Sequence, residues 1–352
     1  MRGFFVCRNL LKELLIFCYF YSTTKPTIVK KILILLIVLF SFPFAVFAQN
    51  DVNDFIDDML VLGGNFSEPA AEGAGYQASA GWFSSAVPLE KWKFRISVHG
   101  NALFVPSEKK KFNLSNSDLK ILQIDGAENA ILPTAFGGGS SVTLSGEINF
   151  NGEVIPVDDF QAIEGIGRSY VPNAFLQAAV GVSTGTEVTV RAMPEVTIDG
   201  VTASTYGIGA KHNLSQYFGY NYPEDFQLAF GASYSKLIVG YEFEPKGAEG
   251  LVLLDEIDVD ANLFMAEIIG SKKWGLFEAF VAAGAMNSNF SYTFGGTGQV
   301  DLVNAQVDSL EDSKIQFKGD AGFNLYFGQF RLSTMLTAGE FFNANLGLHE
   351  SI

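Results

Sequence analysis

One stretch, residues 173–213, constrains this chain more than any other. Leu176, Ala178, Val180 and Val182 occupy alternate positions, with Gln177, Ala179, Gly181 and Ser183 between them. Thr184-Gly185 interrupts the run, and then Val188, Val190 and Ala192 alternate with Glu187, Thr189 and Arg191. A strand turns successive side chains to opposite faces. The spacing therefore predicts strands with one apolar and one polar face, joined by a tight turn. A lone hairpin is only marginally stable in water, so these strands need a larger sheet. Their apolar face also needs a cover, either a second sheet or lipid.

The same alternation recurs down the chain. Phe226, Leu228, Phe230, Ala232 and Tyr234 repeat it, as do Ile315, Phe317, Ala321, Phe323, Leu325 and Phe327 opposite Lys318, Asp320 and Asn324. Trp92, Phe94, Ile96 and Val98 alternate with Lys91, Lys93, Arg95, Ser97 and His99. A strand with cations on one side and large apolar groups on the other separates apolar surroundings from polar ones. Further upstream, Tyr76, Ala78, Ala80 and Trp82 share one face, so strand structure is expected from Tyr76 onward.

Connections settle how the strands are joined. Thr184-Gly185, Ser271 to Gly275 and Gly328-Gln329 are tight, whereas 105–172, 242–257 and 295–313 are long. Short turns at one end and long loops at the other are what an outer-membrane barrel requires. Runs such as 314–327 also reach the roughly 9–11 residues of a tilted spanning strand. The prediction is an all-β fold, an antiparallel transmembrane β-barrel of about 12 strands (range 10–14) with a short N-terminal helix. The competing fold is a secreted β-sandwich, whose strands also alternate. With 33 Phe, 12 Tyr and 36 Gly but only 17% charged residues, the composition suits strands that meet lipid and turn sharply. A net charge of −15 provides no clustered basic face for nucleic acid.

Ahead of the strands lies a leader, expected over 1–48. Lys30-Lys31 precedes the apolar run Ile32 to Phe40, and Ala45-Val46-Phe47-Ala48 follows. A basic patch, an apolar core and small residues at −3 and −1 make a secretory signal peptide, with a membrane anchor as the rival reading. Residues 1–27 are best explained by a start codon assigned too far upstream. Both cysteines, Cys7 and Cys18, fall in this leader. Mass spectrometry of membrane-extracted protein should find Gln49 as the N-terminus, and retention of 28–48 would favour the anchor.

Residues 49–75 are expected to form a helix or plug, with 76–352 as the barrel and 105–172 as its long external loop, a candidate lid. Val52, Phe55, Ile56, Met59 and Leu60 follow the i, i+3, i+4, i+7, i+8 stripe of an amphipathic helix over Asp51 to Leu62. Gly63-Gly64 is expected to stop it. The stripe must dock in a barrel mouth or lumen, or simply pack elsewhere. Lys93, Arg95, His99 and Arg191, on polar strand faces, are the lumen candidates, and Lys93, Arg95 and Arg191 the expected partners of the helix aspartates.

Several pieces resemble a known family. Gly81-Trp82-Phe83, Asn101 to Pro106, Gly185 to Arg191 and Tyr206 to His212 are similar to an uncharacterised family of bacterial outer-membrane β-barrel proteins. More remotely they resemble the long-chain fatty-acid outer-membrane transporters, and that resemblance implies a barrel plugged by its N-terminal segment.

Catalytic signatures are lacking. No G-x-S-x-G stands in a strand–turn–helix frame, since Gly181-Val182-Ser183-Thr184-Gly185 runs from one expected strand through a tight turn into the next. Neither Gly165-Ile166-Gly167 nor Gly207-Ile208-Gly209 completes a dinucleotide fingerprint, and His99, His212 and His349 show no metal spacing. No enzymatic activity, cofactor or metal is expected. The expected partners are outer-membrane lipid and a small hydrophobic ligand, bound or passed through a lumen gated by the helix. The alternatives are a structural or surface-display barrel with a filled lumen and, third, a secreted sandwich.

Overall fold

Ten strands close into one antiparallel barrel in the order β1-β15-β14-β13-β12-β11-β10-β9-β8-β7. They are β1 (Phe94–Phe104), β7 (Tyr170–Ser183), β8 (Thr186–Ile198), β9 (Val201–Asn213), β10 (Gln227–Ala248), β11 (Val252–Trp274), β12 (Phe277–Gly298), β13 (Ser313–Phe327), β14 (Phe330–Ala338) and β15 (Phe342–Ser351). This computed structural model describes residues 45–150, 152–198, 200–220, 225–307 and 313–352. The apolar core of the expected signal peptide lies outside them. The described residues form two units, the first made of those within 45–53 and 149–153 and the second of the rest. In the first, the Asn149 N–H donates to Asp51 Oδ2 at 3.3 Å.

The barrel is all-β and antiparallel as expected, and ten strands is the low end of the expected range. Its alternation runs apolar out and polar in. On β1, Phe94, Ile96 and Val98 are 51%, 53% and 54% exposed, while Arg95, Ser97 and His99 between them are buried. Likewise Leu176, Val190, Ile208, Phe264 and Leu346 face outward uncovered, and Gln177, Glu187, Thr189, Arg191 and Lys211 face inward. No second sheet covers the apolar face among the described residues, so the sandwich is excluded by topology.

Tight turns at 184–185, 275–276 and 328–329 share one end with the start of β1 and the end of β15. This turn end also holds a longer connection, 214–226, with a 3-10 turn at Ser215–Phe218. The long connection expected over 242–257 is mostly strand, because β10 and β11 stay paired to Ala248↔Val252. At the same loop end, β12 runs on to Gly298 and leads into the short helix α2 (Val300–Asn304).

The insertion after β1 is structured. β2 (Lys111–Ser115) pairs with β4 (Asn129–Pro133), and β3 (Gln123–Ile124), β5 (Thr143–Phe150) and β6 (Glu153–Gln161) form a second small sheet. Buried Leu114, Leu122, Ile124, Leu132, Leu144 and Val157 give it an apolar interior that a floppy loop lacks.

The N-terminal helix departs most from expectation. α1 spans Ala45–Ser79, passing through Gly63-Gly64 and Pro69. Each glycine costs a helix about 1 kcal/mol relative to Ala, and tertiary packing commonly overrides that. A Cβ on Gly63 would sit 3.5 Å from the Phe294 ring, so the bare backbone lies close against β12. Tyr76 and Ala78, expected in a strand, are in the last turns of α1.

Candidate functional site

The barrel interior has two dissimilar halves. The turn-end half is filled by residues 80–90, which run without regular secondary structure from the end of α1 towards β1. Inward side chains hold their backbone: Asn324 Nδ2 donates to the Ser84 carbonyl at 2.6 Å and Lys211 Nζ to the Ser85 carbonyl at 2.9 Å. Asn213 Nδ2 donates to the Ala86 carbonyl at 3.1 Å. The Leu89 N–H donates to Glu187 Oε2 at 2.9 Å, and Glu187 also pairs with Arg95. Trp82 and Phe83 fit because the facing wall is glycine. A Cβ on Gly231 would lie 2.5 Å from the Phe83 ring, and one on Gly209 3.0 Å from Trp82. The pieces 81–83 and 206–212, distant in sequence, thus meet inside the barrel.

Two further polar groups complete this half. Lys318 Nζ lies 2.6 Å from Glu267 Oε2 and 2.8 Å from Asp320 Oδ2, and donates to the Ser79 carbonyl at the end of α1 at 3.2 Å. Thr337 donates to the other Asp320 oxygen at 2.6 Å. His99 and His349, separated by most of the chain, pack edge to face with ring centroids 5.0 Å apart. Ser97 Oγ is 2.6 Å from His349 Nδ1, and His99 Nδ1 is 3.0 Å from Asn345 Oδ1.

The loop-end half is partly empty. Between α1 and the wall lies a cavity of about 540 Å³, bordered by Phe66, Ala70 and Ala74 of α1, by Leu103 and Phe136, and by Met193, Leu237, Val239, Ile257 and Phe290 of the strands. That volume is within the roughly 300–1,000 Å³ of small-molecule pockets, which are mostly apolar with a few polar groups. Here Gln77, Thr205 and Asn173 supply polar atoms, and among the described residues Arg168 is the one cation of the lining.

Each expected site residue has a definite place. Phe55, Ile56, Met59 and Leu60 of the helix stripe are buried, as is Val52. The helix aspartates do not reach the expected cations. Asp54 and Asp57 pair with Lys120 at 2.9 and 2.6 Å, and Asp58 accepts the N–H groups of Lys120, Ile121 and Leu122 at 2.7–2.8 Å. Burial pushes the Asp58 carboxyl above its ordinary range, and those three donors partly offset the push. The reason for the different partners is position: this part of α1 lies under the insertion, while Arg95 is at the opposite end of β1. Arg95 and His99 are buried in the turn-end half. Lys93 precedes β1 and is exposed. Arg191 does meet the helix, donating to the Ala78 carbonyl at 2.9 Å with its guanidinium 4.1 Å from the Trp82 ring.

Sequence reading passed over Glu187, Glu267, Lys211 and His349 as interior groups. Their signal was charge of both signs on the polar parity of neighbouring strands, and their pairing became visible only with strand order. Among the described residues, no three His, Cys, Asp or Glu side chains converge to hold a metal ion.

Comparison with known proteins places the chain. Residues 29–352 match the model described as a family of unknown function, DUF6588. The chain belongs to that family. No curated protein matches the sequence. Among solved structures, it is similar to the translocator domain of the autotransporter NalP from Neisseria meningitidis, at 7% identity and a TM-score of 0.35 over 84% of this chain and 98% of that one. It is likewise similar to OprG from Pseudomonas aeruginosa, at 9% identity and TM-score 0.28 over 75% and 98%. A further match is the transport unit of AIDA-I from Escherichia coli, at 9% identity and TM-score 0.30 over 82% and 99%.

Proposed function

We propose that this family member is an outer-membrane barrel that binds small apolar molecules in its loop-end cavity, with α1 and residues 80–90 closing the lumen beneath. The membrane reading is supported by the uncovered apolar outer face and the aromatic rows at its edges. Trp274, Phe277 and Phe323 form one row, with centroids 6.2 and 5.8 Å apart, near the turn end. Phe104, Tyr170 and Phe342 form another near the loop end, at 6.5 and 5.7 Å. Such girdles sit at the two membrane interfaces of outer-membrane barrels.

The cavity carries the binding reading. Native interiors are close-packed, and an apolar void of this size forfeits packing contacts that a ligand would restore. The filled turn-end half favours capture over free passage, and the reading assigns the chain no catalytic step. A structural barrel is the second reading, favoured by that same packed polar half.

The test is titration of the purified barrel in detergent with the fluorescent apolar probe 1-N-phenylnaphthylamine. Ala74 borders the cavity from α1, and Ala74→Trp should weaken binding at least about tenfold, or 1.4 kcal/mol, while heat-modifiable gel mobility stays native. Absence of binding to the unaltered chain, or equal binding by a folded Ala74→Trp, would leave the structural reading in place.

A further inference from the structure

The wall beside the cavity is parted. β7 and β8 pair from Ser183↔Thr186 to Leu176↔Ala192 and no further, although β7 begins at Tyr170 and β8 continues to Ile198. Both strands keep their other neighbours over this stretch. Tyr170 to Phe175 remain paired with Phe104 to His99 of β1, and Val196 to Ile198 with Ala203 to Val201 of β9. The chain itself supplies a cause. Continued register would set Pro194 against Ala174, and proline has no N–H to give a ladder. β8 also shifts register against β9 between Met193 and Val196, and such a bulge bends the strand that carries it.

The cavity extends to this gap. On β7, Val171 and Asn173 share the inward parity of buried Phe175 and Gln177, while Pro172 and Ala174 have the outward parity. All four border the same cavity, together with Met193 and Val196 from β8. Residues of both parities on β7 thus border one space where the strand has no β8 partner. Pro172 and Ala174 are exposed, and Val196, although it lines the cavity, is 45% exposed.

We propose that the parted seam between β7 and β8 is a lateral portal, through which an apolar molecule dissolved in the surrounding lipid reaches the cavity without crossing water. The inference rests on the ligand-binding reading above and adds the route and the source: the ligand is a membrane-dissolved apolar compound, taken up sideways. An apolar ligand gains nothing from leaving lipid for water and then leaving water again, so a side opening removes the costly intermediate.

The test uses the full chain with Cys7 and Cys18 replaced by Ser, carrying Ala174→Cys and Val196→Cys, reconstituted into phosphatidylcholine vesicles. The vesicles are loaded with 1-N-phenylnaphthylamine, and the rate of fluorescence gain is read before and after a reducible bifunctional thiol reagent bridges the seam. Bridging should slow uptake about tenfold, with the final signal unchanged and the rate restored by reduction, since the change is in kinetics and not affinity. The same bridge between Ile208 and Tyr234, register partners in the intact β9–β10 seam, should leave the rate alone. A second variant, Ala174→Trp with Val196→Trp, should slow uptake in the same way without any reagent. Uptake at the unbridged rate through a bridged seam overturns the portal and leaves the free strand edges to a docking strand from a partner. Absence of uptake by the unbridged chain overturns instead the binding reading on which the portal rests.

Discussion

Replacing Lys318 by Met should destabilise the barrel by about 3–5 kcal/mol, the cost of removing one partner from a buried ion pair. Lys318 stands between Glu267 and Asp320, with all three side chains at most 1% exposed. Without the ammonium, two carboxylates remain close together with no cation, and the Ser79 carbonyl at the end of α1 loses its donor. The triple change Lys318→Met, Glu267→Gln, Asp320→Asn should recover most of the loss, because no uncompensated charge then remains buried. Urea unfolding followed by heat-modifiable mobility measures both. A single variant as stable as the parent would mean that the three groups contribute no net pairing.

Ile208→Arg should impair assembly by about 2–4 kcal/mol, the depth-dependent cost of a cation on the lipid face near the midplane. Ile208 is 51% exposed on the outer face, midway along β9. Phe94→Arg, at the first position of β1, should cost only about 0–1 kcal/mol, since charges near an interface are tolerated. Position along the strand reverses what alternation alone suggests, namely that every outward residue is equally sensitive. Ser97→Arg is not benign either: Ser97 is buried against His349, and an added guanidinium there has no room. Folded yield in lipid vesicles compares the three. Equal yields for Ile208→Arg and Phe94→Arg would sink the membrane placement.

The barrel was legible because its signal is local. Period two, tight turns at Thr184-Gly185 and Gly328-Gln329, and cations opposite large apolar groups on one strand all follow from neighbours in sequence. The inward direction of Arg95 and His99 followed too. The helix end did not, since Gly63-Gly64 looked like a stop only to a reading blind to the β12 ring packed against it. Nor did the partners of the helix aspartates, because Lys120 lies in an insertion whose small sheets have little periodicity. The cavity and the parted seam were out of reach for a different reason. Pro172 and Pro194 are visible in the sequence, but which strand each one faces depends on closure order.

The path of residues 80–90 has a consequence for how the molecule is made. This segment lies inside a ring that closes when β1 pairs with β15, from Arg95↔Ser351 to Phe104↔Phe342. A chain bound at one end to β1 and at the other to a helix under a folded insertion cannot be drawn through a finished ring. The segment must already occupy the interior when the last strand meets the first. Closure is thus a kinetic checkpoint, because a ring that seals around an empty middle has no direct path to the native state except reopening. The polar side chains that hold Ser84, Ser85 and Ala86 then act during biogenesis as a mould, keeping the leading segment in place while the strands assemble around it.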